Sequence, residues 1–95
     1  MPGSAEHDLV PTLSDVVASS VRAERARRHW TQAELATRTG LSRTTIGDIE
    51  VGRRQVTANH LPLFCRALDV PLSVLVAGAD AADLDALGAG NLRSR

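Results

Sequence analysis

Residues 31–50 (Thr-Gln-Ala-Glu-Leu-Ala-Thr-Arg-Thr-Gly-Leu-Ser-Arg-Thr-Thr-Ile-Gly-Asp-Ile-Glu) constrain the fold more than any other part of this chain, because they hold the start signals of two short helices and the stop signal of the first. Thr31 can cap the first through its hydroxyl while Glu34, three residues on, reaches back to the Thr31 amide. That pairing is a capping box, and Trp30 faces Leu35 across it as a hydrophobic staple. Gly40 suits the left-handed conformation that ends a helix. Ser42 then supplies the next cap, with Leu41 and Ile46 as a second staple. The connection is therefore only Gly40-Leu41-Ser42. From Ser42 the second helix runs toward Gly52, another terminator, with Ile46 and Ile49 on one face and Arg43, Thr44, Gly47, Asp48 and Val51 on the other. That outer face is nearly free of core residues.

Two helices joined so tightly form a helix-turn-helix, in which the first supports the second and the second can enter the major groove of DNA. At these residues the chain resembles the Xre-type, lambda-repressor-like family. It shares a run similar to Thr-Gln-x-Glu-Leu-Ala at 31–36, Gly-Leu-Ser at 40–42, Ile-x-x-Ile-Glu at 46–50 and Gly-Arg-Arg at 52–54, and the likeness covers roughly 17–77. The resemblance implies an all-α, compact five-helix DNA-binding domain that regulates transcription, is not an enzyme and needs no cofactor.

The rest of the chain fits that frame. Leu13, Val17 and Val21 recur every four residues over 12–29, and Arg22, Arg25, Arg27 and Arg28 cluster where they complement a helix dipole. Leu61, Phe64, Cys65 and Leu68 form a buried stripe on a helix beginning near Thr57 or Asn59, with Pro62 in its first turn. Pro71 opens a short fifth helix with Leu72, Leu75 and Val76 before Gly78. Leu84 and Leu87 allow a weak sixth helix. The expected organisation is a mobile arm over 1–11, the DNA-binding domain over 12–78, and a tail over 79–95 that serves dimerisation or a partner.

Ninety-five residues with zero formal net charge suit one small domain and do not advertise a nucleic-acid binder. The charge is segregated, however. Residues 21–66 hold nine arginines against Glu24, Glu34, Asp48 and Glu50, leaving +5 there, while the remaining acids lie in the tails and on the far side. Every basic contact falls to arginine, since lysine is absent from the sequence. A single cysteine excludes an internal disulfide, and Cys65 reads as a small core residue. No apolar run is long enough to cross a membrane and no signal peptide opens the chain, so a cytoplasmic location is expected. His7, His29, His60 and Cys65 lack metal-ligand spacing, and no catalytic constellation is supported.

Site residues follow from the resemblance. By position, Arg43 and Thr44 are the leading base readers, Arg43 suited to the O6 and N7 of guanine. Gly47, on the outward face, is explained by close approach to DNA or by neutral drift, and Asp48 by acceptance from cytosine N4, repulsion of phosphates at wrong registers, or solvation. Gln32, Thr45, Arg53, Arg54 and Thr57 match phosphate-clamp positions, the last with free amides near the fourth helix. Arg25 and Glu50 match a pair linking the first helix to the end of the recognition helix, a positioning bridge or a plain surface pair. Because one recognition helix reads few base pairs, a homodimer is expected, acting as a repressor on double-stranded DNA. Val74, Val76, Leu84 and Leu87 either form its interface or close the core. Other readings are an antitoxin whose tail binds a toxin, and a phage or restriction-control regulator.

Overall fold

Capping sets the helix boundaries. The computed structural model describes residues 12–78, in which helices follow one another without strands: α1 Leu13–Arg27, α2 Gln32–Thr39, α3 Arg43–Glu50, α4 His60–Leu68 and α5 Leu72–Leu75. The 1–11 arm, the 79–95 tail and the sixth helix with Leu84 and Leu87 lie outside the described residues.

Thr12 opens α1 with a capping box: its hydroxyl accepts from the Asp15 amide at 3.1 Å and Asp15 Oδ2 accepts from the Thr12 amide at 3.1 Å. The α2 box is the expected one between Thr31 and Glu34, and Ser42 caps α3 by accepting from the Thr45 amide at 3.0 Å. Gly40 ends α2 at φ 81°. Gly52 follows α3 at φ 86°, where the Arg53 amide turns back to the Asp48 carbonyl at 2.8 Å. Two ends without glycine use the same left-handed device, His29 at φ 59° after α1 and Asp69 at φ 56° after α4. Helix α4 starts at His60 with Asn59 in the N-cap position, in keeping with a start near Asn59 rather than Thr57; residues 57–59 form a turn in which the Thr57 carbonyl accepts from the His60 amide, and Asn59 makes no side-chain cap. Pro62 then falls within the first turn, where its missing amide costs nothing.

Val17 and Val21 of α1, Leu35 of α2, Ile46 and Ile49 of α3, Phe64 and Leu68 of α4, and Leu75 of α5 are buried together. Burial of each aliphatic or aromatic side chain contributes about 1.5–3 kcal/mol, so the short α3 is held by packing against α1 and α2 rather than by its own propensity. Val76 is 3% exposed and belongs to this core. It closes the domain beneath α1 and is not available for an interface between copies, whereas Val74 stays half-buried.

One polar cluster lies beside the core. Arg28 Nη1 donates to the Glu24 carboxylate at 2.8 Å and to its carbonyl at 2.7 Å, while Nη2 donates to the Leu68 carbonyl at 2.7 Å, tying the end of α1 to the end of α4. The Arg28 hydrogen bond, with the charges of Arg27 and Arg28, outweighs burial and holds the Glu24 carboxyl below its ordinary value. The unfolded chain therefore takes up the proton more readily than the fold does, and the stability Glu24 contributes at neutral pH disappears as the pH falls through the carboxylate range. The gap in urea midpoint between the wild-type chain and Glu24→Gln is expected to narrow on acidification; a gap constant with pH would remove Glu24 from the acid response.

Candidate nucleic-acid interface

Arg43 and Thr44, the first two residues of α3, are exposed, because Ser42 fixes the helix start and Ile46 and Ile49 turn the opposite face into the core. One turn on, Gly47 and Asp48 are half-buried, and Val51, 59% exposed, extends the face beyond the helix. Thr45 is half-buried at its edge. Its hydroxyl oxygen accepts from Ser42 at 2.9 Å, which leaves the Thr45 hydroxyl proton for an outside acceptor.

Behind this face Arg25 grips Glu50 in bidentate fashion, Nε to Oε2 at 2.7 Å and Nη2 to Oε1 at 2.9 Å, and donates through Nη1 to the Trp30 carbonyl at 2.7 Å. The Glu50 side chain is only 2% exposed, so the pair is an internal bridge and not a surface contact. Its hydrogen bond pushes the Arg25 guanidinium further up from an already high value, keeping the charge fixed. Gln32, at the start of α2, joins the bridge by donating its amide to Glu50 Oε1 at 3.1 Å. One carboxylate thus sets the relation between α1, the first residue of α2 and the last residue of α3.

Gly47 is half-buried, with the Gln32 side chain of this cluster beside it. A Cβ added there would lie 3.5 Å from Gln32 Oε1, an ordinary contact. The outward direction expected from helical spacing holds only in part, because the Gln32 side chain of α2 lies beside that part of α3. Alanine at position 47 is accordingly expected to stabilise the domain by about 1 kcal/mol through helix propensity, measured as a rise in urea midpoint. A loss of stability would overturn this propensity argument.

Beyond α3, Arg53 and Arg54 are exposed. Arg53 Nε lies 3.1 Å from Asp48 Oδ1, joining two residues the sequence assigned to different tasks. Thr57 is exposed, but its amide is not free: it donates to His60 Nδ1 at 3.0 Å, leaving the hydroxyl as its available group. The structure adds Trp30, half-buried under the Arg38 guanidinium at 4.0 Å from the ring centroid, with Arg28 at 5.7 Å. Its i, i+8 separation from Arg38 gave no local signal. Cys65 is only partly buried at the core margin, and burial pushes its thiol up, away from the reactive thiolate.

Among the described residues no three His, Cys, Asp or Glu side chains gather as a metal site, and no helix is long and apolar enough to cross a membrane. What the arrangement offers is a short helix, braced through Glu50, whose exposed N-terminal turn carries Arg43 and Thr44, with Gln32 tied to its last residue and Arg53, Arg54 and Thr57 exposed in the segment that follows it.

Comparison with known proteins agrees with this geometry. A helix-turn-helix family model matches residues 21–75. Control protein C.SmaI of Serratia marcescens is 33% identical over 64 residues, covering 67% of this chain and 76% of that protein. The crystal structure of the wild-type restriction-modification controller protein C.Esp1396I superposes with a TM-score of 0.65 at 29% identity, covering 73% of this chain and 90% of that one. The clp gene regulator ClgR from Corynebacterium glutamicum gives a TM-score of 0.66 at 28% identity, covering 88% and 90% of the two chains. The chain is a DNA-binding transcription regulator of the Xre-type, lambda-repressor-like helix-turn-helix family, related to the controller proteins of restriction-modification systems.

Proposed function

We propose that two copies of this chain read a near-palindromic operator, each laying α3 in the major groove, and repress transcription by occupying it in the cytoplasm. The observation that carries this reading is the exposed first turn of α3. Arg43 and Thr44 stand where side chains reach base edges, and Arg43 has the planar fork that pairs with guanine O6 and N7. Gln32, Thr45, Arg53, Arg54 and the Thr57 hydroxyl flank that turn as phosphate contacts that set register without reading sequence. Half-sites about 34 Å apart are what two such helices require.

Within the regulators, a restriction-control circuit is favoured by the likeness to a control protein and to a restriction-modification controller. The antitoxin alternative depends on 79–95, outside the described residues. The test is selection of bound duplexes from a random library at near-physiological salt, where non-specific binding is suppressed. An enriched inverted repeat with half-sites about one helical turn apart supports a dimeric operator reader. A folded protein that enriches nothing overturns it.

A further inference from the structure

Asp48 sits on the face of α3 next to the residues assigned to bases, yet its carbonyl and its carboxylate both bond to the segment after the helix. Its carbonyl accepts from the Arg53 amide at 2.8 Å and the Arg54 amide at 3.2 Å, and its carboxylate accepts from Arg53 Nε at 3.1 Å. Gly52 at φ 86° makes this closure possible by turning the chain back on the last turn of α3. The Arg53 side chain is 73% exposed and that of Asp48 25%, so the carboxylate is the anchored partner and the guanidinium the projecting one.

We infer that Asp48 is a positioning residue for Arg53, and not a reader of bases: it holds Nε so that the two Nη groups point toward a DNA phosphate. A free arginine pays rotamer entropy when it binds phosphate, and an arginine already held at Nε loses less. The Asp48 carboxylate also stands close to the DNA-facing surface, where it repels phosphates that approach off register. Asp48 thereby turns a general electrostatic contact into one that favours a single docking pose. The inference rests on the reading that α3 faces DNA.

The experiment is a double-mutant cycle between Asp48 and Arg53. Binding is measured on the duplex enriched by selection and on a scrambled duplex over a range of salt. Asp48→Ala is expected to weaken the matched duplex about threefold to fivefold, the size of a well-placed exposed ion pair, and to leave the base-preference profile unchanged. Asp48→Asn, which keeps an acceptor for Nε, recovers most of that loss. With Arg53→Ala in the background, Asp48→Ala no longer weakens binding.

The inference is overturned if Asp48→Ala changes which base is preferred at any position, if its effect is the same with and without Arg53, or if it has none. Both positions are exposed or half-buried, so thermal melts are expected to show every variant folded. Should the wild-type chain show no preference between duplexes, the operator-reading proposal falls by itself. The coupling measured on an arbitrary duplex still decides the role of Asp48.

Discussion

Replacing Arg25 with alanine is expected to destabilise the domain by about 3–5 kcal/mol, because it strands a buried carboxylate. Glu50, with a side chain only 2% exposed, loses both of its arginine hydrogen bonds and keeps only the Gln32 amide, and the Trp30 carbonyl loses its partner as well. A small domain has about 5–15 kcal/mol in all, so a loss of this size lowers the melting temperature by about 15–30 °C. Replacing both partners with apolar residues, Arg25→Met with Glu50→Leu, is expected to recover part of the loss, since no charge is then left unpaired. Urea denaturation of the two variants checks both statements. A cost below about 1 kcal/mol for Arg25→Ala would reduce the bridge to an ordinary solvated pair. Where Arg25→Ala remains folded, weakened DNA binding with the same base preference is the expected second effect, because Glu50 ends the helix whose angle it sets.

Local chemistry made most of the frame legible and left the cross-links dark. The Thr31–Glu34 box, the Ser42 cap and the turn at Gly40 involve residues within four positions of one another, and a backbone's own needs dictate them. The Thr12–Asp15 box had the same local signature in Thr-x-x-Asp and was open to the same reading. Arg28 is different. Read along the chain it is a charge favouring a helix dipole, while in the fold it donates to a carbonyl forty residues away, a partner that only tertiary packing supplies. Gly47 and Thr57 show the same limit at the site. Helical spacing puts Gly47 outside, but the Gln32 side chain of α2 lies beside it and leaves it half-buried; a helix start leaves amides open, but His60 folds back onto that of Thr57. The Arg25–Glu50 pair was legible through family resemblance, since nothing local joins residues on different helices. Its burial, and the third arm to Gln32, came only with the structure.

Arg43 carries the largest predicted effect on recognition. It is the first residue of α3, exposed, and that helix has no acidic residue in its first turn to offset a cation placed against the positive end of the dipole. Its position is therefore unfavourable for the isolated helix and favourable beside an acceptor-rich groove edge. Arg43→Ala is expected to cost about 1–3 kcal/mol on the selected duplex and to flatten preference at one base pair per half-site. Stability is expected to stay level or rise slightly, since the unfavourable charge is gone. Arg43→Lys keeps the charge and loses the planar fork, so it is expected to retain binding to scrambled DNA while losing most of the discrimination. Titration of matched, single-substituted and scrambled duplexes separates these outcomes. If Arg43→Ala weakened all three equally, Arg43 would be a phosphate contact, and base reading would pass to Thr44 and the exposed Val51 farther along the same face.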